Sequence, residues 1–202
     1  MIPLVSLTDI AVPLLRENID TDAIIPSREM KTVSKTGLAD GLFAGWRYRT
    51  LGGRDPDPDF VLNQPRFQGA QILIGGQNFG CGSSREHAIW ALAEYGFRAI
   101  IAPSFSPIFR ANCVRNGVAP IVLAQDAVET LAALAERGDP ITIDIAARSV
   151  SAGSASWPFA IDDESRMMLM EGLDAIELTL KRRADIEAFR ASDAGRRPWV
   201  YL

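Results

Sequence analysis

The stretch Gln77-Asn78-Phe79-Gly80-Cys81-Gly82-Ser83-Ser84-Arg85-Glu86-His87 gathers two hydroxyls, a thiol, a guanidinium and the only histidine of the chain around two glycines. Residues of these types, so close together, handle anions. Arginine presents a planar fork that matches the two oxygens of a carboxylate or phosphate. A serine at a helix start accepts from orphan backbone N–H groups, and those groups together with the helix dipole favour a bound anion. Glycines let the backbone turn tightly and approach a ligand. The spacing excludes three other loops: a dinucleotide fingerprint needs a third glycine, a nucleotide-hydrolase phosphate loop ends in Gly-Lys-Ser/Thr, and a nucleophile elbow reads Gly-x-Ser-x-Gly. Two readings remain, a serine facing a carboxylate held by Arg85, and Ser83 or Ser84 as a plain helix cap.

Such a turn needs a strand before it and a helix after it. Ala70 to Gly76 reads as a short buried strand and Ala88 to Tyr95 as a helix. Upstream, Ile10 to Leu14 leads into the polar turn Asn18-Ile19-Asp20-Thr21-Asp22. A loop-rich insertion follows over about 31–65, rich in glycine and proline, with a short helix near Leu38 to Ala44. Downstream, strands are expected at Ala99 to Ala102 and Pro120 to Leu123. A helix is expected from Pro107 to Asn116 and another from Ala127 to Glu136, capped by Asp126. The last third changes character. Ile141 to Ile145 alternates with period two, and Ser149 to Ser151 and Trp157 to Ile161 are strand candidates across the small-residue turn 153–156, which predicts β-hairpin pairing. Asp162 to Glu171 and Ala184 to Ala191 read as closing helices. The expected fold is one α/β domain over 1–202, a central mixed sheet flanked by helices.

Composition narrows the partners. A chain of 202 residues, 48% hydrophobic, is long enough for a substantial core and too apolar to be disordered. No apolar run approaches the ~20 residues of a membrane span, and the N-terminus lacks a secretory pattern, so no membrane is expected. A net charge of −4 argues against nucleic acid, which needs a basic face. Lys181-Arg182-Arg183 has Asp185 and Glu187 close behind and reads as a solvated helix end. Two cysteines without a framework fit a reducing, cytoplasmic setting.

Asn78 to His87 resembles the signature of isopropylmalate dehydratase small subunits, within the aconitase superfamily. Separated segments follow that family's order: Asn18 to Pro26, Gly45-Trp46-Arg47-Tyr48, Pro103-Ser104-Phe105, Asn112-Cys113 with Asn116-Gly117, and Glu171 to Ile176 with Leu178-Thr179-Leu180. Ile89 stands where the family carries proline, an exchange a first helical turn tolerates. The resemblance implies a swivelling domain of a heteromeric hydro-lyase that isomerises 2- and 3-isopropylmalate in leucine biosynthesis. Ser83 would be the catalytic base, and Ser84 and Arg85 would bind the substrate carboxylate.

The resemblance also implies a 4Fe-4S cluster on a separate large subunit. Such a cluster takes three thiolates, and this chain has Cys81 and Cys113 only. No cofactor is therefore expected on this chain, and the large iron–sulfur subunit is its expected partner. His87 reads as a packing or interface residue, Cys81 as a ligand or nucleophile or else a small residue between close backbones, and Asp20-Thr21-Asp22 as shaping the mouth of the site or the partner interface. The apolar Leu38, Leu42, Phe43 and Trp46, in the loop 31–49, suit an isopropyl group or else pack that loop down. Other readings stay open: a small subunit acting on another hydroxy diacid, such as a citraconate or homoaconitate hydratase, or a non-catalytic anion-binding module.

Overall fold

The computed structural model describes residues 1–31 and 34–201. Thr32 and Val33, which belong to the expected loop-rich insertion, lie outside the described residues, as does Leu202. Four short strands, β1 (Ser6–Asp9), β6 (Ile141–Asp144), β7 (Ser149–Ala152) and β8 (Ala155–Pro158), form an antiparallel sheet in that order. Four others, β2 (Ala11–Leu14), β3 (Ile72–Gly75), β4 (Ala99–Ala102) and β5 (Ala119–Val122), form a parallel sheet in sequence order. The expected α/β class holds, with its parallel and antiparallel strands divided between two sheets.

Side-chain alternation explains why the parallel sheet is covered on both faces. Ile72 and Ile74 of β3 and Ala99 and Ile101 of β4 join one core. That core is shared with α5 (Gln125–Glu136), β6, β7 and α6 (Asp163–Glu171). Leu73, Ile100 and Ala102 point the other way. They meet α1 (Thr21–Ile24), α3 (His87–Tyr95), α4 (Pro107–Arg115) and the insertion residues Leu38, Leu42, Phe43, Phe60 and Leu62. Pro13 and Pro120 sit on the two edge strands, where a missing N–H disturbs no ladder. Among the described residues no helix is long and apolar enough to cross a membrane.

Several boundaries differ from the sequence reading. The expected helix near Leu38 to Ala44 is two pieces, a single 3-10 turn at Ala39–Gly41 and then α2 (Ala44–Arg47), because Phe43 at φ 49° interrupts it in the left-handed region. Asp126 does not cap α5. The helix starts two residues earlier, after Ala124, and the Asp126 carboxylate accepts only from the neighbouring Ala127 N–H. The hairpin turn is Gly153-Ser154, so β8 begins at Ala155 rather than Trp157. Elements not anticipated include β1, the short helix α1 within the expected polar turn, and α7 (Ala175–Leu180), which opens on an Asp174/Glu177 capping box. The last helix, α8, runs over Arg183–Arg196.

Candidate active site

The turn from Gln77 to Glu86 leaves the carboxyl end of β3, the edge where open parallel sheets place ligands. Two segments brace it. Asn18 to Thr21, after β2, gives Asn18 N–H to the Gln77 carbonyl (2.8 Å), takes Gly80 N–H on the Ile19 carbonyl (2.7 Å) and gives Thr21 N–H to the Cys81 carbonyl (2.9 Å). Ser104, after β4, takes Asn78 N–H on its hydroxyl (2.8 Å) and Phe79 N–H on its carbonyl (3.0 Å). The glycines serve this packing. Gly80 has φ 74°, and a Cβ there would lie 2.1 Å from the Phe109 ring, so its bareness admits a core phenylalanine and not a ligand. Gly82, at φ 94°, turns the chain so that Ser83 meets α1.

Ser83 is not a helix cap. Helix α3 begins at His87 with Glu86 at the cap position, and neither Ser83 nor Ser84 bonds its first turn. The Ser83 hydroxyl oxygen lies 2.9 Å from the Thr21 hydroxyl and accepts from Arg85 Nε at 2.7 Å, while Ser83 N–H donates to Thr21 Oγ1 (3.1 Å). A positive N–H donor aimed at a hydroxyl oxygen favours its ionised form. Arg85 then turns its fork outward onto Asp22, with Nη1 to Oδ1 at 2.8 Å and Nη2 to Oδ2 at 2.9 Å. Its side chain stays 32% exposed. Ser84 is exposed, and its carbonyl accepts from the buried Asn112 of α4 (3.3 Å).

The structure thus brings Ser83 and Arg85 together and leaves the Ser84 hydroxyl facing outward. Thr21 and Asp22, expected only to shape the mouth of the site or a partner interface, join them by direct hydrogen bonds. Asp22 carried one usable signal, a carboxylate two positions after Asp20, whose own side chain caps α1 through Ala23 N–H (2.6 Å). The His87 ring lies tilted against Trp90, with the ring centroids 4.7 Å apart. Leu38, Leu42 and Phe43 are at most 1% exposed and pack the insertion down, which removes them as candidates for holding an isopropyl group in this arrangement. Trp46 is half-buried, with the Arg16 guanidinium 4.3 Å from its ring.

The cysteines do not make a cluster site. Cys113 is buried in the core, and burial pushes its thiol well above the usual range. Cys81 donates to the Asn18 carbonyl at 3.4 Å. No cluster of candidate metal ligands occurs among the described residues. A three-thiolate cluster does not fit this donor set.

Comparisons with known proteins agree with one another. Residues 1–126 match the family described as the aconitase C-terminal domain. The chain is 57% identical over 197 residues to a 3-isopropylmalate dehydratase small subunit of Cupriavidus necator, covering 96% of this chain and 95% of that one. It is 45% identical over 207 residues to the small subunit of Magnetococcus marinus, covering 98% and 97%. Among solved structures it is similar to 3-isopropylmalate dehydratase of Methanocaldococcus jannaschii, with a TM-score of 0.67, 27% identity, and 92% of this chain and 99% of that chain covered.

Proposed function

The chain belongs to the family of 3-isopropylmalate dehydratase small subunits, with the aconitase C-terminal domain, and from that premise we propose that it supplies Ser83 and Arg85 to the isomerisation of isopropylmalate. It is a subunit of a hydro-lyase in leucine biosynthesis. It works as one unit over 1–202, in the cytoplasm, with a large subunit that carries the 4Fe-4S cluster. That cluster, when present, supplies the Lewis acid for the departing hydroxyl.

One observation carries the reading: the Ser83 hydroxyl oxygen sits between the Arg85 guanidinium and the Thr21 hydroxyl. With the Thr21 proton turned toward it, the oxygen has two donors and is stabilised as an alkoxide. Ser83 then takes the carbon-bound proton of the hydroxy diacid as the C–O bond on the adjacent carbon breaks. Water returned to the double bond with the opposite regiochemistry gives the isomer, and Ser83 hands its proton back. Arg85 and Ser84 hold a carboxylate of the same molecule, which competes with Asp22 for the arginine fork.

Ser83→Ala tests this in the enzyme assembled with its large subunit. The Glu86 cap at the start of α3 is left intact, so the thermal midpoint should change little while isomerisation falls a hundredfold or more, the usual size of a general-base effect. Near-normal turnover in that variant removes Ser83 from the mechanism.

A further inference from the structure

Helix α3 runs from the serine turn at one end to a single carboxylate at the other. Glu94, in its last turn, gathers three consecutive backbone N–H groups of the insertion: Gly37 (2.6 Å), Leu38 (2.5 Å) and Ala39 (2.9 Å). An acid near a helix C-terminus faces the negative end of the dipole, so α3 gains nothing from having it there. The N–H groups explain it. Partial burial works against its charge, yet the three backbone donors outweigh that and hold the carboxyl below its ordinary value. A second strut reaches the same segment. Arg47 donates to the Ala39 carbonyl at 2.9 Å and lies over the ring of Tyr95, the residue after Glu94.

The clamped segment leads back to the site. From Ala39 the chain passes through buried Leu42 to Phe43, whose N–H donates to the Ile24 carbonyl at the end of α1 (2.7 Å). Helix α1 carries Thr21 and Asp22, which hold Ser83 and Arg85. Arg85 lies two residues before α3. The path is therefore closed: α3, Glu94, the 37–43 segment, α1, and back to the turn that starts α3.

We propose that Glu94 is a positioning residue for this reaction, fixing the 37–43 segment to the end of α3 so that α1 presents Thr21 and Asp22 to Ser83 and Arg85. The inference rests on the functional reading of Ser83 and Arg85 given above. Its role is geometric. Glu94 touches neither reacting group, and glutamine at this position keeps the length and one acceptor oxygen while losing the charge and the second acceptor.

The test uses Glu94→Gln in the enzyme assembled with its large subunit, with two readouts. Amide hydrogen exchange should show protection at residues 37–39 reduced about tenfold, while β3 and β4 stay unchanged. The kcat/KM for isopropylmalate should fall about tenfold, the scale of weakening a charge-assisted hydrogen bond. The distinguishing measurement is a cycle with Thr21→Val, which removes the hydroxyl at Ser83 without changing the size of the side chain. If Glu94 acts through α1, its substitution should cost much less in the Thr21→Val background than in the native one. Unchanged protection at 37–39, unchanged kcat/KM, or two effects that multiply in full would each overturn the proposal. A native complex inactive toward isopropylmalate would instead overturn the functional reading, and the exchange readout tells the two failures apart because it needs no turnover.

Discussion

Arg85 commits three of its N–H groups within the protein, one to Ser83 and two to Asp22. Guanidinium has five, so an incoming carboxylate meets two free N–H groups or takes the fork from Asp22. Lysine can do neither job twice over. Its ammonium is a point charge that cannot reach the Ser83 oxygen and span a carboxylate at once. Arg85→Lys should therefore raise KM and lower kcat together. Because the side chain is about a third exposed, the loss belongs at the low end of the range for a broken charged pair, about 2 kcal/mol or some thirtyfold in kcat/KM. Steady-state kinetics on the assembled enzyme check it, and unchanged constants would make Arg85 a structural residue.

Among the elements, α6 shows how one side chain sets a boundary. Asp162 accepts the Ser165 N–H at 2.8 Å, and Gly172 closes the other end in the left-handed conformation. The Ser165 backbone bond holds the Asp162 carboxyl below its ordinary 3.8. A depressed carboxyl stabilises the fold above the unfolded-state value and loses that contribution as pH drops through the folded one. Asp162→Ala should thus cost about 1 kcal/mol near neutrality, a midpoint lower by roughly 2 to 4 °C. The gap between variant and native protein should close in acid below 3.8. Urea titrations at both conditions decide it, and a gap independent of pH would deny the ionised cap.

For the whole molecule, the core ends before the chain does. Met168 and Leu169 of α6 are the last buried apolar residues among those described. In α8 only Asp193 is buried, and it is held by Arg197 and Tyr201 from the helix's own far end. Deleting 183–202 should accordingly move the thermal midpoint by no more than about 2 °C. A large loss would reveal packing of α8 onto the sheets.

Much of this protein was legible in local patterns. The apolar runs of β3 and β4 and the helix after the serine turn follow from periodicity, and Ser83 and Arg85 stood out by type and spacing. Strand β1 did not, because Ser6-Leu7-Thr8-Asp9 is half-exposed and becomes a strand only by pairing with β6, far along the chain. The same physics governs the site. Sequence alone left Ser83 between cap and base, since both uses need a hydroxyl before a helix. Thr21, 62 positions away, together with the Gly82 turn, draws that hydroxyl off the helix end and under Arg85. Short-range propensity specifies which residues turn and which continue, whereas the partners of a polar atom depend on which distant segments the two sheets bring together. That placement belongs to the tertiary structure.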